Sequence, residues 1–243
     1  MRIISIVPSQ TELLHSLGLD EEVVGITRFC VHPEGLKKTK TIVGGTKKLD
    51  LQKIRTLNPD LIIANKEENE RTQVETLMKE FNVWVSDVHD LNSACDMIYK
   101  IGSLCQRECN AEKMVHTIRD NFNKIKPIPV PKTVAYLIWE KPMMIAGKGT
   151  FIDDMLMRLN LQNVADSSRY PGVTSDSLRK KAPEVVLLSS EPFPYREKHL
   201  LKYKELLPGS HIELVDGEMF SWYGSRMLLS PSYFNALLRN FSK

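Results

Sequence analysis

Short apolar segments alternate with amphipathic segments along the whole chain, and this alternation constrains the fold more than any other feature. In the first half, the apolar runs that predict strands are residues 3–7, 23–26, 41–43, 61–64 and 83–86. The segments between them that carry apolar residues at helical spacing are residues 11–17, 51–57, 71–81 and 94–105. Strands that alternate with helices form βαβ units and a mostly parallel sheet.

The second half of the chain repeats this pattern. Its predicted strands are residues 133–138, 144–146, 163–165, 185–189 and 212–215. Its predicted helices are residues 151–159, 175–180, 196–206 and 225–240. Two segments are also alike in order, since Pro59-Asp60 and Pro183-Glu184 each separate a short helix from a buried strand. The sequence therefore predicts two related α/β lobes.

A single helix is expected to connect the lobes. Residues 108–126 contain neither glycine nor proline and carry apolar residues at helical spacing from Met114 to Ile125. Pro127, Pro129 and Pro131 follow and prevent the helix from continuing. The expected domains are an N-terminal lobe at 1–107, a connecting helix at 108–127 and a C-terminal lobe at 128–243.

Charge and hydropathy argue against a nucleic-acid partner and against a membrane-spanning segment. Lysine and arginine number 33 against 30 aspartate and glutamate residues, a balance that argues against nucleic acid as a partner. No apolar run is long enough to span a bilayer, and residues 1–7 predict a strand rather than a secretory leader. A native start at Met1 predicts a cytoplasmic protein, whereas a removed leader predicts a periplasmic or membrane-tethered one.

The first strand leads directly into a predicted helix N-terminus. Ser9 and Glu12 have the spacing of a capping box, so the helix is expected to start at Ser9. Helix N-termini at the carboxyl ends of parallel strands bind polar or anionic groups. The segment is therefore either the floor of a binding site or only a well-capped helix.

Motifs for catalysis are not found in the sequence. The Gly147-Lys148-Gly149-Thr150 segment is no phosphate loop, because Pro142 stands where the motif requires glycine, and Thr150 is expected to cap a helix instead. The histidines are scattered singly, and the hydrolase and dinucleotide signatures do not occur. No catalytic residue and no metal ligand is predicted.

Aromatic residues are concentrated in the loops that follow predicted strands. Phe29, Trp139 and Tyr170 lie in three such loops, and residues 216–226 contain Phe220, Trp222 and Tyr223. Aromatic side chains in glycine-rich loops are either anchors for the loop or a surface for a flat ligand. Their number in this chain favours a ligand site.

Six segments and the mid-chain helix, spread over almost the whole chain, resemble the corresponding parts of a known family. The segments are residues 2–12, 24–27, 57–64, 170–174, 182–186 and 216–226. In their order and spacing the chain resembles the class III substrate-binding proteins of ABC importers, the family of cobalamin and ferric-siderophore receptors. It is most similar to the cobalamin-binding branch. The resemblance implies two Rossmann-like lobes joined by one long backbone helix, with a ligand in the interlobe cleft and no reaction. The chain is then not an enzyme and needs no cofactor.

The resemblance also assigns ligand contacts. Phe29 falls on the receptor's ring-stacking tyrosine and Tyr170 on its cleft tryptophan, whereas Thr46 and Asn65 fall on two further tryptophans. A cobalamin-like corrinoid or related metal chelate is the implied ligand. Together with the residues singled out above, the expected ligand contacts are Pro8, Ser9, Arg28, Phe29, Thr46, Asn65, Trp139, Tyr170, Met219, Phe220, Trp222 and Tyr223.

The implied protein partner is an ABC-importer permease, contacted by a monomer through one acidic residue on each lobe. Asp176 keeps that charge in the second lobe, but Gln52 stands at the corresponding position of the first, two residues from Asp50. Two alternatives remain open at this point. One is a cytoplasmic sensor or chaperone, and the other is a chelatase-like enzyme for a tetrapyrrole or metal that uses His32, Asp216 and Glu218.

Overall fold

In the computed structural model, which describes residues 1–241, ten strands form two five-stranded sheets. The strands are β1 (Ile3–Ser5), β2 (Val23–Ile26), β3 (Thr41–Ile42), β4 (Leu61–Asn65), β5 (Val83–Ser86), β6 (Lys132–Glu140), β7 (Met143–Ile145), β8 (Leu161–Asn163), β9 (Val185–Ser189) and β10 (His211–Val215). The α-helices are α1 (Pro8–Ser16), α2 (Leu36–Thr39), α3 (Leu51–Leu57), α4 (Arg71–Met78), α5 (Leu91–Leu104), α6 (Glu108–Phe122), α7 (Phe151–Arg158), α8 (Ser175–Lys181), α9 (Glu197–Leu206), α10 (Gly217–Ser221) and α11 (Ser230–Leu237). Two 3-10 helices, Ser225–Leu228 and Leu238–Asn240, complete the order.

The first sheet is parallel throughout and has the strand order β3-β2-β1-β4-β5. Every residue of β1 and β4 is buried, as expected for central strands that helices cover on both faces. Helices α3 and α4 contribute Ile54, Val74 and Leu77 to the core on this sheet. The strand order reverses between β1 and β4, and ligands of open parallel sheets bind beyond the carboxyl ends of the strands at such a point.

The second sheet has the order β10-β9-β6-β7, and β8 pairs with β6 outside this path. Its pairs are parallel except that β7 runs antiparallel to β6. Strand β9 is buried along its whole length, and its core neighbours include Tyr203 of α9 and Leu178 of α8. The predicted α/β class with mostly parallel sheets is confirmed, and β7 is the antiparallel exception.

Contacts divide the chain into two compact units. The first comprises Met1–Val88, Asn92–Ile118 and Tyr223–Arg226, and the second comprises His89–Leu91, Arg119–Trp222 and the chain from Met227 onward. The boundary therefore falls inside α6. We call these unit 1 and unit 2. The sequence-based domain limits at 1–107, 108–127 and 128–243 stay a prediction.

The connecting helix is shorter than predicted. α6 ends at Phe122, whereas the sequence pattern extends to Lys126. Beyond Phe122 the backbone tightens, because Ile125 N donates to the Phe122 carbonyl, and Lys126 N donates to the side chain of Asn235 at 2.8 Å. Lys126 precedes a proline, which disfavours the helical conformation, so the end of the apolar pattern is not helical.

The start of α1 also differs from the expectation. Val7 is the N-cap and Pro8 the first helical residue, so Ser9 lies inside the first turn and no capping box forms. Proline is favoured at this position because its missing N–H has no partner in a helix and its φ is already helical. The Glu12 carboxylate, which would have closed the box, instead binds Arg226.

The C-terminal predictions need two corrections. The helix expected at 225–240 is divided at Leu229 into a 3-10 helix and α11, with a second 3-10 helix after it. Residues 216–226 are not a plain loop, because α10 forms after the strand β10. Asp216 caps α10 by accepting a hydrogen bond from Glu218 N at 3.0 Å, which the spacing of an N-cap aspartate explains.

Candidate functional site

The exposed ring of Phe29 lies in unit 1, just after the carboxyl end of β2. Its side chain is 54% exposed, and a Cβ atom placed on Gly45 would lie 3.1 Å from its Cε2 atom. Arg28, also exposed, donates its backbone N–H to the Gly44 carbonyl at 2.8 Å. The predicted contacts Arg28 and Phe29 thus lie together against the loop that follows β3. An aromatic ring held on backbone and left half exposed can cover a flat ligand.

Buried groups hold the Phe29 loop in place. Phe29 N donates to Thr27 Oγ1 at 3.3 Å, and the Cys30 thiol is buried within 3.1 Å of Thr11 Oγ1. Burial raises the pKa of the Cys30 thiol, and hydrogen bonds with Thr11 and Thr27 oppose this rise. Cys30 is therefore a neutral, structural thiol at physiological pH rather than a nucleophile.

Thr46 and Asn65 lie in a buried polar network at the same edge of the first sheet. Asn65 Nδ2 donates to Ser86 Oγ at 3.0 Å, and Asn65 Oδ1 accepts from the N–H groups of Glu67 and Glu68. The Thr46 carbonyl accepts from Asn69 Nδ2 at 3.1 Å. Both predicted contacts are thus held by hydrogen bonds within the fold. They stand at the two positions where, according to the resemblance, the receptor family has tryptophans.

Pro8 and Ser9 lie at the N-terminus of α1, after the central strand β1. Ser9 is buried and Pro8 is partly exposed. The adjacent Gln10 is fully buried, and its Nε2 donates to Ser86 Oγ. The structure therefore brings Pro8 and Ser9 to the edge that also carries Arg28, Phe29, Thr46 and Asn65, all within unit 1.

In unit 2, Trp139 is the exposed aromatic residue at the end of β6. Its side chain is 38% exposed, its Nε1 donates to the Lys141 carbonyl at 2.9 Å, and its ring meets Phe193 edge to face. Phe193 packs in turn on Tyr195. Trp139 therefore has a fixed orientation and an accessible surface, which are the two properties that a ligand contact needs.

The loop that carries Tyr170 runs beside β7. Ile145 N donates to the Pro171 carbonyl at 3.2 Å, and Gly147 N to the Arg169 carbonyl at 2.6 Å. A Cβ on Gly147 would lie only 2.4 Å from the Ser167 carbonyl oxygen, so this position requires glycine. Gly147 of the segment that resembled a phosphate loop thus serves packing, whereas Gly149 has a φ of +70° and open space around it. Thr150 caps α7 as predicted, accepting from Asp153 N at 3.2 Å.

The four closing residues do not share one environment. Phe220 of α10 is fully buried, and its ring lies 5.1 Å from the Tyr136 ring and 4.7 Å from the Phe234 ring. Met219 is partly exposed, and Trp222 is buried at the end of α10. Tyr223, although next in the chain, belongs to unit 1. The structure gives Phe220 a core role, and the ligand roles of all four stay predictions.

The two candidate docking positions are on similar short helices, one in each unit. Asp176 is exposed in the first turn of α8 and pairs with Arg179 at 3.0 Å. Gln52 is exposed on α3, and the neighbouring Asp50 is the N-cap of that helix, since it accepts from Lys53 N at 3.1 Å. Helix α3 therefore has a carboxylate at Asp50, where it caps the helix, and no charge at Gln52.

Side chains that bind metals are not clustered in the part of the chain that the structure describes. Within residues 1–241, no group of three or more His, Cys, Asp or Glu side chains is placed to hold a metal ion. The Glu140 carboxylate, 9% exposed at its side chain, accepts from Tyr203 Oη at 2.8 Å and pairs with Lys202. Burial would raise the pKa of Glu140, but the hydrogen bonds from Lys202 and Tyr203 outweigh it and hold this pKa below its usual value. This carboxylate is suited to holding the end of β6 against α9.

The family model for periplasmic binding proteins matches residues 3–206. The chain belongs to the periplasmic binding protein family. These are binding proteins, so the prediction that the chain is not an enzyme is confirmed, and the chelatase alternative has no support.

Relatives and solved structures agree with this assignment. The chain is 26% identical over 200 residues to an uncharacterized ABC transporter substrate-binding lipoprotein, YvrC, of Bacillus subtilis, with 76% of this chain and 62% of that protein covered. It is 26% identical over 197 residues to the vitamin B12-binding protein of Vibrio vulnificus, with 77% and 71% covered. A crystal structure from Staphylococcus epidermidis, described as a "possible" iron-binding (periplasmic solute-binding) protein, has a TM-score of 0.80 at 25% identity and covers 100% of this chain and 98% of that one.

These names correct the expected location. The relatives are a lipoprotein and a periplasmic solute-binding protein, so the expectation of a cytoplasmic protein is wrong. Among residues 1–241 there is no helix with the length and apolar character needed to cross a membrane.

Sequence reasoning missed two residues that organise the candidate positions. Asn69 donates a hydrogen bond to the Thr46 carbonyl, and Arg226 binds Glu12. An isolated asparagine in a polar loop has no sequence signature. Arg226 is the last residue of the segment 216–226, but nothing in the sequence spacing indicates that its partner is Glu12, more than two hundred residues away.

Proposed function

We propose that this periplasmic binding protein binds a cobalamin-like corrinoid or a related metal chelate and delivers it to an ABC-type importer. It would act as a monomer, without a cofactor of its own and without nucleic acid. The proposal extends to this chain what the names of its relatives say of them: one is a vitamin B12-binding protein and another an ABC transporter substrate-binding lipoprotein.

The observation that carries the proposal is the exposed ring of Phe29. Phe29 is 54% exposed, so apolar ring surface is in contact with water, and covering that surface with a ligand is favourable. The ring lies after β2, with Arg28 beside it, at the edge of the sheet where ligands of parallel sheets bind. A broad, largely apolar macrocycle with polar substituents suits an aromatic surface with a guanidinium group next to it.

Unit 2 offers a second set of candidate contacts, made of Trp139, Tyr170 and Met219. Trp139 is exposed and held by its hydrogen bond to Lys141, while Tyr170 is held by the backbone bonds of its loop to β7. Rings whose positions are fixed before binding lose little conformational entropy on binding. This set is tested separately from the set in unit 1.

Delivery to a permease is proposed through the exposed helices α3 and α8. Asp176 supplies an exposed carboxylate on α8, whereas α3 presents Gln52 in place of a charge. A complex formed through a single such carboxylate would depend on salt less steeply than one formed through two.

Calorimetric titration with cyanocobalamin, haem and a ferric siderophore tests the ligand. Binding of cyanocobalamin with one site per chain supports a corrinoid receptor. Binding of haem or the siderophore alone reassigns the ligand within the metal chelates, and no heat with any of the three contradicts the proposal. Tyr99→Ala, which removes a half-exposed ring from α5, is the control for unspecific aromatic binding.

A further inference from the structure

The segment Tyr223–Arg226 returns to unit 1, although the chain on both sides of it belongs to unit 2. Its last residue forms a two-pronged ion pair with α1: Arg226 Nη2 lies 2.7 Å from Glu12 Oε1, and Nε lies 3.2 Å from Oε2. The two side chains are only 10% and 17% exposed. Paired arginine and carboxylate groups with this geometry are among the strongest side-chain interactions, and little water is present here to weaken them.

Gly224 brings the same segment into close contact with α1. Its φ is +122°, a left-handed conformation, and a Cβ there would lie 3.3 Å from Leu13 Cβ and 3.4 Å from the Ser9 carbonyl oxygen. Ser9, Glu12 and Leu13 are three and four residues apart, so they share one face of α1. The segment is therefore fixed to one helix face by backbone packing at Gly224 and by charge at Arg226.

The hydroxyl of Ser225, in the same segment, has the opposite effect. It is buried, and within the described part of the chain its Oγ has no hydrogen-bond partner. A buried hydroxyl without a partner opposes the observed placement of the segment. The pair of Arg226 with Glu12 is a polar interaction that favours this placement.

We propose that Glu12 and Arg226 form a positioning pair that sets the placement of Trp222 and Tyr223 for the ligand. Trp222 and Tyr223 come immediately before Gly224, so the point where Arg226 is held limits the conformations open to both rings. This inference rests on the proposed function and adds to its contacts Trp222 and Tyr223, which the sequence predicts as ligand contacts and which are 7% and 8% exposed. Neither Glu12 nor Arg226 is proposed to contact the ligand.

The test compares Glu12→Gln with a matched control. Arg55 and Glu80 form the same two-pronged pair in unit 1, at 2.8 and 2.7 Å, but on the exposed surface between α3 and the end of α4. Glu80→Gln therefore removes an equivalent carboxylate away from the segment. Arg226→Lys keeps the charge but loses the paired geometry, and it replaces Glu12→Gln if that variant does not fold.

Two measurements are made on each variant. Hydrogen–deuterium exchange without ligand is expected to speed up in residues 219–226 in Glu12→Gln and to stay unchanged there in Glu80→Gln. Calorimetry with whichever of cyanocobalamin, haem and the ferric siderophore the wild type binds is expected to show affinity reduced by about two- to thirtyfold in Glu12→Gln, the range for residues that act through others. Glu80→Gln should bind as the wild type does.

The outcomes separate this inference from the proposed function. Unchanged exchange at 219–226 in Glu12→Gln overturns the pair as an anchor, whatever the ligand. Faster exchange with unchanged affinity overturns its positioning role. If the wild type binds none of the three chelates, the proposed function fails, the positioning role fails with it, and faster exchange then supports the anchor alone.

Discussion

The side-chain amide of Asn69 donates to the backbone carbonyl of Thr46 at 3.1 Å and to that of Ile6 at 2.9 Å. Its Oδ1 atom accepts the N–H of Asn65 at 2.8 Å, so one buried side chain joins the ends of β1 and β4 to the loop after β3. That loop is the one against which Phe29 lies. The orientation of the candidate contacts in unit 1 thus depends on a residue outside the predicted set.

Asn69→Ala should therefore destabilise unit 1. The substitution leaves two buried carbonyl groups and one N–H without their partner, and we expect the free energy of unfolding to fall by about 2–4 kcal/mol. Urea unfolding measures it. Asn82→Ala, which changes an exposed asparagine before β5, is the control and should stay within about 0.5 kcal/mol of the wild type. Equal stability of both variants would contradict the role assigned to Asn69.

The fold could be predicted from the sequence because local patterns determine it. Strand β9 and the cap of α7 at Thr150 depend on residues close together in the chain, and both form where the pattern places them. The end of α6 and the partner of Glu12 depend on contacts with distant residues: Asn235 takes the N–H of Lys126, and Arg226 takes the Glu12 carboxylate. Capping and periodicity rules contain no such information.

The candidate site was predictable only as a set of loops. Phe29 and Phe220 are both aromatic residues that follow a strand, and the sequence does not distinguish them. In the structure Phe29 is half exposed, whereas Phe220 is fully buried against Tyr136 and Phe234. What separates them is the α-helix that forms at 217–221, because it turns the Phe220 ring into the core of unit 2.

Phe29→Ala should weaken ligand binding without unfolding the protein. Loss of the ring area and of stacking is expected to reduce the free energy of binding by about 1–3 kcal/mol. Because the side chain is half exposed, the free energy of unfolding should change by less than about 1 kcal/mol. Calorimetry with the chelate that the wild type binds measures the first quantity, and urea unfolding measures the second. Affinity equal to that of Tyr99→Ala would remove Phe29 from the site.

Gly44 and Gly45 should respond differently to alanine. Gly44 has φ of +113°, and a Cβ there would lie 2.5 Å from the Lys48 carbonyl oxygen, so Gly44→Ala should lower the free energy of unfolding by about 1–3 kcal/mol. A Cβ on Gly45 meets the movable ring of Phe29 instead. Gly45→Ala should thus leave stability within about 1 kcal/mol and weaken ligand binding by roughly 1 kcal/mol. Thermal unfolding and calorimetry would show the two effects, and the reverse pattern would contradict this geometry.

Glu140→Gln should change how stability depends on pH. The pKa of Glu140 is held below its unfolded value of 4.5 by Lys202 and Tyr203, against the opposing effect of burial. The unfolded state therefore takes up the proton first as pH falls, and the stability that Glu140 contributes is present above pH 4.5 and lost as pH drops through its folded pKa.

In Glu140→Gln that contribution disappears, since the amide cannot ionise. The side chain of Glu140 is 9% exposed, and we expect the free energy of unfolding at neutral pH to fall by about 1–3 kcal/mol. Its slope as the pH falls below 4.5 should become flatter. Urea unfolding across this range, with Glu205→Gln on the exposed face of α9 as control, measures both quantities. If Glu140→Gln retains the wild-type slope, the carboxylate does not stabilise the end of β6 by its charge, and Tyr203 alone holds it.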